Sequence, residues 1–264
     1  MRYLQPGARI LALSWDGSTP GKLAALLAER GLGASSLTVL EALGGPDERV
    51  HRDLKSVAAL NTIALEVVAG ADARVVSLSP GLADELFEHD GQLTKREVRA
   101  VTLSALAPRQ GELLWDVGLG AGSIAIEWLL RHPSMRAIGI EEGTERAARA
   151  ARNAASLGTP DLKIVRGRAP NALEGLARPD AVFIGGGLGD PGVFDTAWAA
   201  LKPSGRLVAN AVSLQSEARL IECFRTHGGE LMRFDVSRAG KAGTGGVFVW
   251  RPASPIIQWR ARKP

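Results

Sequence analysis

The chain has one cysteine, one tyrosine and four histidines among its 264 residues. A lone thiol, Cys223, builds neither a disulfide framework nor a cysteine-based metal cluster, and such usage suits a cytoplasmic protein. No metal is expected. Aromatic residues make up only 5%, too few to lay out the stacking platforms that grip single strands or flipped bases. No apolar run approaches the ~18 residues of a membrane-spanning helix, and the opening MRYLQPGAR lacks the apolar core of a signal peptide. No period of roughly 20–50 residues recurs, which excludes a solenoid. His51, His89, His132 and His227 are scattered through connecting or helix-end positions and argue for surface or capping roles. The net charge of +4 favours an anionic partner. Charge alone does not choose among nucleic acid, a membrane surface and a small polycarboxylate, although the few aromatics make nucleic acid a weaker candidate than the charge suggests.

What is present centres on Leu113–Trp128, LLWDVGLGAGSIAIEW. An apolar strand pattern leads through Asp116 into three alternate glycines, Gly118, Gly120 and Gly122, and a helical pattern begins at Ser123. Glycines let the backbone turn with positive φ and let a ligand lie against main chain, and the first-turn N–H groups stay free for a polar guest. The spacing departs from the dinucleotide fingerprint G-x-G-x-x-G, since the sixth position counted from Gly118 as the first is Ser123. The next strand, Arg136–Ile140, ends in Glu141-Glu142, nineteen residues after Gly122. A carboxylate there can accept both ribose hydroxyls of a nucleoside.

Along the chain, strands are predicted at Ile10–Ser14, Leu37–Glu41 and Thr62–Val68, with a helix opened by Thr19-Pro20. The acidic, glycine-flanked connection Gly81–Gly91 predicts a domain boundary, dividing 1–88 from 89–264. Thr94 and Glu97 read as a capping box. Beyond it, strands near Leu113–Val117, Arg136–Ile140, Leu162–Val165, Ala181–Ile184 and Arg206–Ala211 alternate with helices, which implies a doubly wound, mostly parallel α/β sheet. Glu230–Ser237 and Val247–Trp250, joined by a glycine-rich loop, predict an antiparallel hairpin at the sheet edge.

The pattern D-x-G-x-G-x-G at Asp116–Gly122, followed by Glu141, resembles class I S-adenosylmethionine (SAM) methyltransferases. Leu93–Arg99, Trp115–Trp128, Pro179–Gly187 and Arg206–Val212 together resemble the decarboxylating precorrin methyltransferase family of cobalamin biosynthesis, over about residues 89–264. Residues 1–88, through Leu13–Pro20 and Val39–Pro46, resemble the C-terminal half of a tetrapyrrole methylase acting at C-5, so that the chain reads as truncated upstream. The resemblance implies a seven-stranded Rossmann-like sheet, a homotetramer, and methylation of a precorrin at C-15 with loss of the C-12 acetate carboxyl. It places SAM on Thr94, Asp116, Gly118, Leu119, Gly120, Ala121, Gly122, Ser123, Glu141, Arg168, Ala169 and Gly185; for Arg168, stacking and plain solvation both stay open.

A carbon nucleophile of this kind draws electron density from the substrate's conjugated system, and the sequence offers no obvious base. The stretch after Ile184 is Gly185-Gly186-Gly187, without the acceptors used for an exocyclic amine, and Cys223 lies in the wrong element to be a nucleophile. Precorrins carry many carboxylates, and Arg and Lys answer them. Lys95, Gly186, Asn210, Arg238 and Lys241 are therefore the expected substrate contacts, with the loop 238–246 able to close over the ligand. An RNA methyltransferase, or a non-catalytic docking protein with a vestigial SAM site, are the alternative readings.

Overall fold

The computed structural model describes residues 1–242 and 246–264. The chain divides into two units, Met1–Leu78 and Ser79–Pro264.

The first unit contains β1 (Arg9–Leu13), α1 (Thr19–Glu29), β2 (Ser36–Glu41), β3 (Arg49–His51) and β4 (Asn61–Glu66). The strands form one antiparallel sheet in the order β1-β4-β2-β3. Leu27, Leu32, Leu65 and Val67 form its small core. The sequence pattern missed β3, whose three residues Arg49, Val50 and His51 are too few and too polar to show a period.

The second unit adds α2 (Arg96–Leu106), β5 (Leu113–Val117), α3 (Ser123–Leu129), β6 (Arg136–Glu141), α4 (Thr144–Leu157), β7 (Lys163–Arg166), β8 (Ala181–Ile184), α5 (Val193–Ala200), β9 (Arg206–Ala211), α6 (Leu214–His227), β10 (Glu230–Phe234), β11 (Ser237–Ala242), β12 (Val247–Pro252) and β13 (Ile256–Arg262). Seven strands build one sheet in the order β10-β13-β9-β8-β5-β6-β7. The expected mostly parallel sheet is present, with β13 as its one reversed strand. β5 is buried at all five positions, as a central strand covered on both faces must be.

Two expectations need correcting. The edge hairpin is different: β10 pairs with β13, which inserts between it and β9, while among the described residues β11 and β12 pair only with each other in a separate ribbon. The apolar Ile256–Trp259 run, with Trp259 fully buried, outcompetes the exposed Val247–Trp250 for the sheet because it buries more apolar surface there.

The division also falls earlier than expected. Gly81–Gly91 belongs to the second unit, because its backbone is pinned there. Gly81 N and Leu82 N donate to the Glu127 carboxylate at 2.7 and 2.9 Å. Glu88 exchanges two backbone bonds with the Asn153 carboxamide.

Candidate functional site: a glycine-floored cleft at the carboxyl ends of the strands

A cleft of about 700 Å³ opens where β5, β6, β8 and β9 end, the position at which open α/β sheets bind ligands. Gly118, Gly120 and Gly122 all adopt positive φ, at 79°, 56° and 79°, but they serve three different ends. A Cβ on Gly118 would lie 2.7 Å from Gly186 N, so this glycine lets the loops after β5 and β8 touch backbone to backbone. Among the described residues a Cβ on Gly120 would meet nothing nearer than Gly118 O at 4.0 Å; it faces the open cleft. A Cβ on Gly122 would meet Ala150 Cβ at 3.2 Å, and Gly122 does not line the cleft. Gly122 lets α4 pack against the loop.

Glu141 closes β6 and is 5% exposed. Its carboxylate accepts from Gly120 N and Gly143 N, both at 2.9 Å, which leaves roughly half of its acceptor sites for a guest. Leu119, Ala121 and Ser123 line the cleft beside it. The Leu119 side chain packs onto Gly139, so what it offers a ligand is main chain.

Asp116, at the floor, accepts from Ala125 N at 3.0 Å. Burial pushes its carboxyl up to about 7, against the Ala125 hydrogen bond and with the Glu141 charge adding to the rise. The folded form therefore holds a proton that the unfolded chain releases at about 3.8. Stability contributed by this group is full at low pH, falls between those two values, and stays lost above about 7. Asp116→Asn keeps an acceptor for Ala125 N and stays neutral. Its ligand-free melting temperature is expected above wild type at pH 8, by the equivalent of about 3–4 kcal/mol, with the gap closing toward pH 4. Calorimetric melts across that range check it; a constant offset would refute the protonation.

The opposite wall comes from Gln92 to Val98. Thr94 and Lys95 line it, but the capping box does not form. Lys95 is the N-cap, without a side-chain cap bond, while the Thr94 carbonyl accepts from Arg99 and Glu97 pairs with Arg238 instead. Arg99 and Glu127 are both fully buried and joined at 2.8 Å, and Arg99 also bonds Asp84, the Leu82 carbonyl and the face of Phe87. This network holds the 81–94 segment against α2 and α3. The sequence reading missed it; its signal was a carboxylate in the otherwise apolar Ile124–Trp128.

Beyond the glycine loop, Arg168, Ala169, Gly185 and Gly186 line the cleft. Arg168 is exposed and bound through Nε and Nη2 to Asp190 at 3.1 and 2.8 Å. Asn210 also lines the cleft. Its Nδ2 donates to Thr102 at 3.0 Å and its Oδ1 accepts from Gln258 at 2.8 Å, which fixes the carboxamide. Neither buried partner was foreseen. Arg238 lines the cleft from the ribbon, whereas Lys241 is exposed on β11 outside it, farther along the strand. Part of the 238–246 loop, Gly243, Thr244 and Gly245, lies outside the described residues.

Among the described residues no histidine lines the cleft and no group could hold a metal ion. Cys223 is buried in α6, its thiol pushed up to about 11 by burial, and is unsuited to nucleophilic attack.

The model of the precorrin methyltransferase domain matches residues 85–263. The chain belongs to that family. It is 55% identical to a Sinorhizobium protein named precorrin-6Y C(5,15)-methyltransferase [decarboxylating], over 97% of this chain and 63% of the relative. It is 32% identical to the cobalt-precorrin-6B C(15)-methyltransferase (decarboxylating) of Salmonella typhimurium, over 67% of this chain and 93% of the relative. The crystal structure of the C-terminal domain of precorrin-6Y C5,15-methyltransferase from Rhodobacter capsulatus superposes with a TM-score of 0.67 at 44% identity, covering 71% of this chain and all of that one. The fold is thus the class I methyltransferase fold of this precorrin methyltransferase type. The chain spans less than two thirds of the length of the longer relatives it matches.

Proposed function

We propose that the second unit is a SAM-dependent C-methyltransferase that methylates a precorrin at C-15 and removes the carboxyl of its C-12 acetate arm in cobalamin biosynthesis. The observation that carries it is the open position at Gly120, which faces a cleft with the Glu141 carboxylate on one side and Lys95, Asn210 and Arg238 beyond it. A nucleoside fits the first part, where main chain and a carboxylate take hydroxyls and a Cβ would occupy the guest's volume. Carboxylate arms fit the second, where two cations and a fixed amide stand beside Val212, Val236 and Ile256.

When bound, SAM supplies an electrophilic methyl group on a sulfonium. Glu141 and the main chain of Gly118–Ala121 would hold its adenosyl part, Thr94 would lie near its methionine end, and Lys95, Asn210 and Arg238 would orient the macrocycle. The residues contribute alignment and exclusion of water; the attacking electron density belongs to the conjugated substrate. For the first unit we propose a portion of a tetrapyrrole C-5 methylase. Phe248 and Trp250, 67% and 73% exposed on the ribbon, support a self-associated assembly, with a homotetramer as the expected form, and the single cysteine supports a cytoplasmic setting.

The test is turnover of a precorrin with SAM, followed by mass spectrometry. The expected product gains one methyl and loses one carbon dioxide. Absence of turnover combined with salt-steep binding to tRNA would favour an RNA substrate instead.

A further inference from the structure

Glu97 belongs to no part of the proposed chemistry, yet it occupies the cleft's substrate end. It sits in the first turn of α2, and Arg238 reaches it from the ribbon, 141 residues later in the chain. Both side chains are half exposed and both line the cleft. An ion pair this exposed contributes little to the fold. The other acids along the wall are engaged elsewhere: Asp116 with Ala125 N, Glu141 with Gly120 N and Gly143 N, and Asp190 and, at 4.0 Å, Glu142 with Arg168.

Positively polarised groups flank Glu97 along the chain and across from it. Lys95 lies two positions before it, and the first turn of α2 has no side-chain cap on its N–H groups. Arg238 presents a guanidinium, the group that matches a carboxylate in two parallel hydrogen bonds. A tethered carboxylate held in such a place satisfies the cation when no ligand is bound, and a carboxylate arm of a ligand can take over the same paired geometry on Arg238.

We infer that Glu97 is the resident stand-in for a carboxylate arm of the substrate, and that binding transfers Arg238 from Glu97 to that arm. This rests on the tetrapyrrole reading above. The exchange makes Glu97 a specificity-determining residue: a macrocycle with carboxylate arms regains what it breaks, and a neutral one does not.

The test uses uroporphyrin, a tetrapyrrole bearing eight carboxylates, titrated by tryptophan quenching into wild type, Glu97→Gln, Arg238→Ala and the double variant, with SAM affinity measured calorimetrically in each. Glu97→Gln is expected to tighten uroporphyrin binding about two- to fivefold by removing the competitor. Arg238→Ala weakens it about tenfold or more, and in the double variant the gain from Glu97→Gln disappears. Unchanged or weaker binding in Glu97→Gln, or a gain that survives in the double variant, overturns the stand-in while leaving the tetrapyrrole reading intact. If wild type binds SAM but not uroporphyrin, the tetrapyrrole reading fails and the inference falls with it.

Discussion

Glu127→Ala is expected to lower the unfolding midpoint of the second unit by roughly 6–20 °C, from about 3–5 kcal/mol for a broken buried ion pair and ~2–4 °C per kcal/mol at this size. The carboxylate is fully buried and takes three donors, Arg99 Nε, Gly81 N and Leu82 N. Its removal strands all three in a place water does not reach, and the Arg99 guanidinium, itself fully buried, keeps its charge. Arg99→Ala belongs in the same range, because it leaves Glu127 charged and drops Asp84 and the carbonyls of Leu82 and Thr94. The two losses do not add. Each single variant leaves an uncompensated charge, so Glu127→Leu combined with Arg99→Met costs less than the sum of the singles. Thermal melts by circular dichroism decide this. A drop under about 1 kcal/mol in either single variant would mean that water already reaches the pair. The loss also reaches function, since Thr94 and Lys95, on the cleft wall, end the segment that this network holds.

The buried pair marks the limit of what a local pattern reveals. The strand, turn and helix over 113–129 were legible because strand alternation, positive-φ glycines and a helical period each leave a short-range trace, and Glu141 followed from the length of one helix and one strand. Nothing local says which strand pairs with which. Ile256–Arg262, with Gln258, Arg260 and Arg262 among its apolar residues, gives no clear strand pattern, and its place between β10 and β9 depends on a competition with the ribbon strand that only the assembled sheet decides. Gly118, Gly120 and Gly122 look equivalent in sequence and differ by what stands opposite each of them: the Gly186 backbone, the cleft, and Ala150. Arg238 and Lys241 look equivalent as well. They sit at different distances along one strand, and only the first reaches the cleft.

That difference among the glycines makes Gly120→Val the sharpest test of the cofactor site. Gly120 has φ 56°, so a β-branched residue there carries a backbone penalty of about 1–3 kcal/mol. Among the described residues its Cβ meets no neighbour closer than 4.0 Å, so the chain folds with that moderate loss and the isopropyl group stands in the cleft. SAM affinity is expected to fall about 100-fold or more, equivalent to ~2.7 kcal/mol, since the volume next to the Glu141 carboxylate is filled. Gly118→Val is the contrasting variant. Its Cβ would sit 2.7 Å from Gly186 N and 2.9 Å from Gly186 Cα, backbone against backbone, so the loops after β5 and β8 separate and stability is lost along with binding. Glu141→Ala is less informative, because it frees Gly120 N and Gly143 N as well as any ribose hydroxyl; Glu141→Gln keeps one acceptor and is the cleaner probe. Calorimetry with SAM and a melt on each variant separate the cases. Gly120→Val binding SAM within about threefold of wild type, which is under ~0.7 kcal/mol, would remove the glycine loop from the cofactor site.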